Sequence, residues 1–240
     1  MKGVFYGVGV GPGDPELITL KGYRVLQEAD VICSPKSSAD KEGVALSIVS
    51  EIVKEKGDRE ILELPFPMTK DQAELELCWE KAAGRIIDLL QAGKKVAFIT
   101  LGDPTLYSTY TYVLKKIKAA GLWEIETIPG VPSFCACAAL AGLPLAEGDE
   151  KLAVIPAVKD LDSLRFVLQN FENVILMKVA RKYAEVVKIL EELDLKDRAV
   201  FATRCGLPGG RVEHNLDQVE KSKQDYLSLI MVKSSLKIRD

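Results

Sequence analysis

The chain has 240 residues, 48% of them apolar and 28% charged, with a formal net charge of −3. That length allows one large α/β domain or two smaller ones, and the acidic balance excludes a general attraction to nucleic acid or to an anionic membrane. No apolar run approaches the ~18 residues needed to span a bilayer, and Met1-Lys2 leads straight into an apolar run without a signal peptide, so the expected location is the cytoplasm.

The first run, Val4–Val8, reads as a buried strand and passes into Gly9-Val10-Gly11-Pro12-Gly13-Asp14-Pro15. Glycines without side-chain bulk and prolines with a fixed backbone let a ligand or a second backbone approach closely. A Gly-rich turn after a first strand suggests dinucleotide binding. That pattern needs a third glycine at position 14, where this chain has Asp14, and a carboxylate repels a pyrophosphate. No Gly-Lys-Ser/Thr follows either. Thr19 is placed to cap a helix whose Leu20, Val25, Leu26 and Ala29 share a face. Strands are then predicted over Val31–Cys33 and Glu60–Leu64, and a long helix over Gln72–Gln91, where Leu75, Cys78, Trp79, Ala82, Ile86, Leu89 and Leu90 keep a helical period. The strand Val96–Thr100, a helix over Thr105–Ala120 and the strand Glu124–Ile128 follow. Gly93 and Gly121 stand where helices close.

The composition changes around Pro129–Pro132, and strand-like runs restart at Leu152–Ile155, Val174–Met177, Ala199–Thr203 and Tyr226–Val232. The expected fold is α/β: two α/β domains, 1–128 and 129–240, with mostly parallel sheets. Five cysteines at 33, 78, 135, 137 and 205 lack framework spacing and read as free core thiols. Cys135 and Cys137 point to different faces of a helical run, and His214 is the only histidine, so no metal site is expected.

Three further segments share the character of the first loop. Thr100–Thr105, Ile128–Ser133 and Arg204–Gly210 each place a Gly/Pro turn just beyond the end of a predicted strand. In open α/β sheets ligands bind at those ends. The residues Gly9–Pro15, Leu101-Gly102-Asp103-Pro104 and Pro129-Gly130-Val131-Pro132-Ser133, in that order, resemble the tetrapyrrole methylases over essentially the whole chain. Leu64–Thr69, Phe98–Asp103 and Val174–Val179 are similar to the branch that methylates C-20 of the macrocycle.

The resemblance implies two α/β domains with an active-site trough between them, usually in a homodimer. It further implies S-adenosylmethionine as methyl donor and a tetrapyrrole substrate: cobalt-factor II in cobalamin biosynthesis, or precorrin-2, or another carbon of the ring. By motif, Leu101, Gly102, Asp103, Leu106, Tyr107, Pro132, Ser133, Met177, Lys178 and Gly206 would surround the donor, with Asp103 balancing its positive charge. Pro12, Gly13 and Asp14 would border the macrocycle, and Lys36 would meet its carboxylates, with Lys178, Arg181 and Arg204 as further cations. After transfer a proton must leave C-20, and Asp14, Asp103 and Tyr107 are the candidates to take it or to position a water. Asp14 and Asp103 also suit helix caps. Three other readings stay open: a relative acting on ribosomal RNA or diphthine, which the absence of basic clusters opposes; a dinucleotide-dependent oxidoreductase, which Asp14 opposes; and a non-enzymatic binder.

Overall fold

The computed structural model describes residues 3–37, 43–54, 59–156, 158, 160–220 and 225–235. The chain divides into two compact units, Met1–Pro132 and Ser133–Asp240. No helix among the described residues is long and apolar enough to cross a membrane.

The first unit alternates strand and helix: β1 (Val4–Gly9), α1 (Leu20–Glu28), β2 (Val31–Lys36), α2 (Val44–Lys54), β3 (Glu60–Pro65), α3 (Gln72–Gln91), β4 (Lys95–Thr100), α4 (Tyr110–Ala120) and β5 (Glu124–Ile128). The strands form one all-parallel sheet in the order β3-β2-β4-β1-β5. Phe5, Val31, Cys33, Leu62, Val96 and Phe98 face α3 and α4, packing on Ala82, Ile86, Tyr110, Val113 and Ile117. Val8 lies on the opposite face, against Gly22 of α1. The connections from the neighbouring strands β1 and β4 therefore leave on opposite faces, which opens a crevice at their carboxyl ends.

The second unit carries α5 (Ser133–Ala141), β6 (Leu152–Ile155), α6 (Leu161–Asn170), β7 (Asn173–Met177), α7 (Tyr183–Glu192), β8 (Ala199–Thr203), β9 (Arg211–Glu213) and β10 (Ser228–Lys233). Its sheet, ordered β6-β7-β10-β8-β9, is mixed. Only β6 and β7 pair in parallel; β10 runs antiparallel to both neighbours, and β9 folds back on β8. Parallel pairing thus dominates in the first sheet and gives way in the second. For β9 the reason is connection length, since the short link from β8 makes a hairpin; β10 then adds between β7 and β8, antiparallel to both. One sheet face packs on α6 and α7 through Leu164, Leu168, Val186 and Ile189. The other packs on Cys137 and Ala138 of α5.

Several local expectations meet the structure differently. Thr19 Oγ1 does accept the Gly22 N–H at 3.0 Å, and Val25, Leu26 and Ala29 are buried, but Leu20 is exposed. The helix anticipated from Thr105 begins at Tyr110, because Asp103 and Thr105 form a local turn and Tyr107 takes a left-handed φ of 51° that no helix admits. Gly93 closes α3 in the left-handed region, whereas Gly121 is extended. The strand β9 and the helix α2 were not read from the sequence. β9 has three residues, too few for a period to appear.

Candidate functional site

Three of the four Gly/Pro turns meet at the carboxyl edge of the first sheet, because β4, β1 and β5 are neighbours. The loop after β1 and the loop after β4 touch as backbones. Gly102 N–H donates to Gly11 C=O at 2.8 Å, in an isolated antiparallel bridge. A Cβ on Gly9 would stand 2.6 Å from both Gly102 C=O oxygen and Gly130 nitrogen, so no side chain fits where the three loops cross. The glycines are required by this contact as much as by any ligand.

Gly102 differs from the other two. Its φ is +70°, and a Cβ built there meets nothing nearer than Val131 C=O oxygen at 3.9 Å. Gly102 is itself buried, and a Cβ there would sit in ordinary contact with Val131 and Pro132, so it is the left-handed φ rather than a clash that calls for glycine at this position.

The Asp103 carboxylate ties the loops together. Its Oδ1 accepts from Thr105 N–H at 2.8 Å and from Thr105 Oγ1 at 2.6 Å, while Oδ2 accepts from Gly130 N–H at 2.9 Å. One side chain thus caps its own turn and fastens the loop after β4 to the loop after β5. Asp14 has a lighter load. Its Oδ1 accepts from Glu16 N–H at 2.9 Å at the head of the 3-10 turn Pro15–Leu17, and Oδ2 has no partner among the described residues. Pro12 and Gly13 are buried, Asp14 and Leu106 half-buried, and Tyr107 exposed. Leu101 lies half-buried at the foot of the β4 loop.

Lys36 ends β2, on the far side of β4 from β1. Its Nζ pairs with Glu63 at 2.9 Å, so its charge is already matched within the sheet edge.

In the second unit, Met177 ends β7 and Lys178 follows it, and Gly206 follows β8; both strands flank β10. Lys178 N–H donates to Ser228 C=O at 2.7 Å and Arg204 N–H to Leu227 C=O at 2.9 Å, so the start of β10 anchors both loops. Lys178 and Arg204 have left-handed φ values of 56° and 50°. The Lys178 ammonium lies 5.3 Å from the centre of the Tyr226 ring, and Arg204 pairs with Asp225 at 3.1 Å. Gly206 takes a φ of 79° and is exposed. Ser133 heads α5. Arg181 and His214 are exposed. Among the described residues, no three His, Cys, Asp or Glu side chains gather to hold a metal ion.

Sequence reasoning passed over the hydroxyls. Thr100 and Ser108 are buried 2.8 Å apart at the two ends of the β4 loop, and Tyr110 OH meets Thr127 Oγ1 at 2.6 Å. Thr203 and Ser228 face each other across β8 and β10, buried and without side-chain partners. Small polar residues at strand ends were the available signal.

Residues 4–220 match the family model of the Tetrapyrrole (Corrin/Porphyrin) Methylases. The chain is 39% identical over 233 residues to a protein of Methanocaldococcus jannaschii named as a probable cobalt-precorrin-2 C(20)-methyltransferase, covering 95% of each chain. It is 35% identical over 233 residues to the cobalt-precorrin-2 C(20)-methyltransferase of Salmonella typhimurium, covering 97% of each. Its fold is shared with a uroporphyrin-III C-methyltransferase of Thermus thermophilus solved with S-adenyl homocysteine. That match has a TM-score of 0.65 at 24% identity and covers 98% of this chain and 99% of the other.

Proposed function

The chain belongs to the tetrapyrrole (corrin/porphyrin) methylases, and from that membership we propose that it transfers a methyl group from S-adenosylmethionine to C-20 of a cobalt-bearing macrocycle in cobalamin biosynthesis. The observation that carries this reading is its 39% and 35% identity, over nearly the whole chain, to two proteins named for that reaction on cobalt-precorrin-2. The macrocycle expected from the sequence, cobalt-factor II, shares the metal and the carbon with that substrate and differs in oxidation state. The metal-free precorrin-2 is the second reading.

The chemistry asks little covalent work of the protein. A methyl sulfonium is already activated, and the meso carbon of a reduced tetrapyrrole is electron-rich. Holding C-20 in line with the S–CH3 bond and excluding water can supply roughly 7–11 kcal/mol of the barrier reduction. The backbone at Gly102, beside Val131 and Pro132, is the proposed donor contact, with Leu101 and Leu106 as apolar neighbours on the same loop. Met177, Lys178 and Gly206 complete the proposed set of donor contacts. In this reading Asp103 acts first by tying the loops, since both its oxygens are engaged. Asp14 is the proposed proton acceptor, directly or through water, because it keeps an unengaged oxygen on the loop bordering the macrocycle. The reading extends to a homodimer in the cytoplasm, which sedimentation and cell fractionation would test.

The deciding experiment is an anoxic assay with methyl-13C-labelled S-adenosylmethionine and either the cobalt-loaded or the metal-free macrocycle. The expected result is label on C-20, faster with cobalt present. Label on another carbon would overturn the regiochemistry. Absence of S-adenosylhomocysteine binding in calorimetry, with NAD as control, would overturn the donor.

A further inference from the structure

The loop from Leu101 to Thr109 is closed at its base by two hydroxyls rather than by a strand pair or a helix cap. Thr100 ends β4 and Ser108 stands two residues before α4; both side chains are buried, and their oxygens lie 2.8 Å apart. Ser108 Oγ also accepts from Tyr110 N–H at 3.2 Å, fixing it to the first turn of α4. Thr100 C=O receives Val10 N–H at 3.0 Å, so the same residue joins the β4 loop to the β1 loop. Between the two hydroxyls the chain turns through Tyr107 with φ of 51°. A residue with a Cβ adopts that conformation only where its surroundings impose it.

Thr100 faces the same side of the sheet as Phe98, within the cluster that also holds Tyr110. The pair is therefore sunk in the packing beneath α4, with Thr100 two residues before Gly102. Thr100 Oγ1 has no other partner among the described residues, so losing either hydroxyl leaves the other buried and poorly paired.

We infer that Thr100 and Ser108 form a latch that imposes the left-handed turn at Tyr107 and thereby sets the position of Leu101, Gly102, Asp103 and Leu106. The two are positioning residues for the methyl donor and do not touch it. The inference rests on the reading above that this loop holds the donor.

The test compares Thr100→Val, which removes the hydroxyl while keeping the β-branched shape, with Thr100→Ser, which keeps the hydroxyl. Amide hydrogen exchange of residues 103–109 in the ligand-free protein reads the latch itself. It should quicken by about tenfold in Thr100→Val and stay near the wild-type rate in Thr100→Ser. In steady-state assays Thr100→Val should raise KM for S-adenosylmethionine by about tenfold, with KM for the macrocycle unchanged and kcat at saturating donor within about twofold. Ser108→Ala breaks the same contact from the other end and replaces Thr100→Val should that protein fail to fold. Unchanged exchange in both hydroxyl-removing variants overturns the latch. Faster exchange with unchanged donor KM overturns its positioning role. A wild-type protein that binds no S-adenosylhomocysteine overturns the underlying donor reading, while the exchange data still judge the latch.

Discussion

Asp103 satisfies three donors with two oxygens, and that arithmetic decides how its substitutions should behave. Asp103→Asn keeps the side-chain volume but must turn an amide towards Gly130 N–H or towards Thr105, so one contact becomes a clash of donors. We expect a loss of about 1–2 kcal/mol in urea unfolding for Asn and about 2 kcal/mol or more for Ala. S-adenosylhomocysteine affinity should fall by at least about tenfold in Asp103→Ala as the loops separate. Full affinity in that variant would remove Asp103 from the site. The capacity of Asp103 to cap a turn was legible in the motif Gly102-Asp103-Pro104. That one carboxylate would do the capping and also reach Gly130, 27 residues on, could not be read, because it depends on β5 lying one strand beyond β1. Thiols follow burial in the same way. Burial pushes the Cys33 thiol up to about 12, and Cys137 is raised by its hydrogen bond with Cys205 as well as by burial. At pH 8 the half-buried Cys78 and Cys135 should alkylate first, and Cys33 only on unfolding; peptide mass spectrometry after timed labelling checks the order.

Loops and helices carry their own tests. At the crossing of the three loops, a Cβ on Gly130 would lie 2.8 Å from Gly9 Cα, a backbone atom that cannot swing aside. Gly130→Ala should therefore push the β5 loop off the β1 loop and abolish donor binding, whereas Gly84→Ala on α3, where a Cβ has open space, should leave binding intact and raise the melting temperature slightly. Calorimetry and a thermal melt separate the two. The helix α3 is capped by Asp71, whose Oδ1 accepts from Ala73 and Glu74 N–H at 2.9 and 3.2 Å. Its bounds were readable because twenty residues carry a clear period and end before a left-handed Gly93. The span Thr105–Ala120 misled at its start: Thr105, Tyr107, Ser108 and Thr109 are weak helix formers, and the contacts of Asp103 and Ser108 fold these residues into a turn instead.

Across the second sheet, distant segments are pinned by one charged cluster. Lys233, buried at the end of β10, pairs with Glu150 at 2.6 Å and Glu147 at 3.0 Å, and Glu150 also accepts from Asn173 Nδ2 at the start of β7. The hydrogen bond from Lys233, followed by those from Asn173 and Ser235, holds the Glu150 carboxyl at about 2. A carboxyl depressed in the folded state stabilises above its unfolded value near 4.5 and loses that contribution as pH falls towards 2. Unfolding monitored between pH 5 and 2 should show this loss in the wild type, and Glu150→Gln should flatten that part of the profile while lowering stability at pH 7; an unaltered profile would reject the cluster as an acid-sensitive tie. The α/β class, most strand positions and the family likeness were determined by local order alone, since strand runs, helical periods and Gly/Pro turns are properties of neighbouring residues. The tertiary structure decided which turns meet, that the second sheet is mixed, and that hydroxyls and one carboxylate lock the loops. Those outcomes depend on strand order, and strand order comes from packing between segments that no local pattern links.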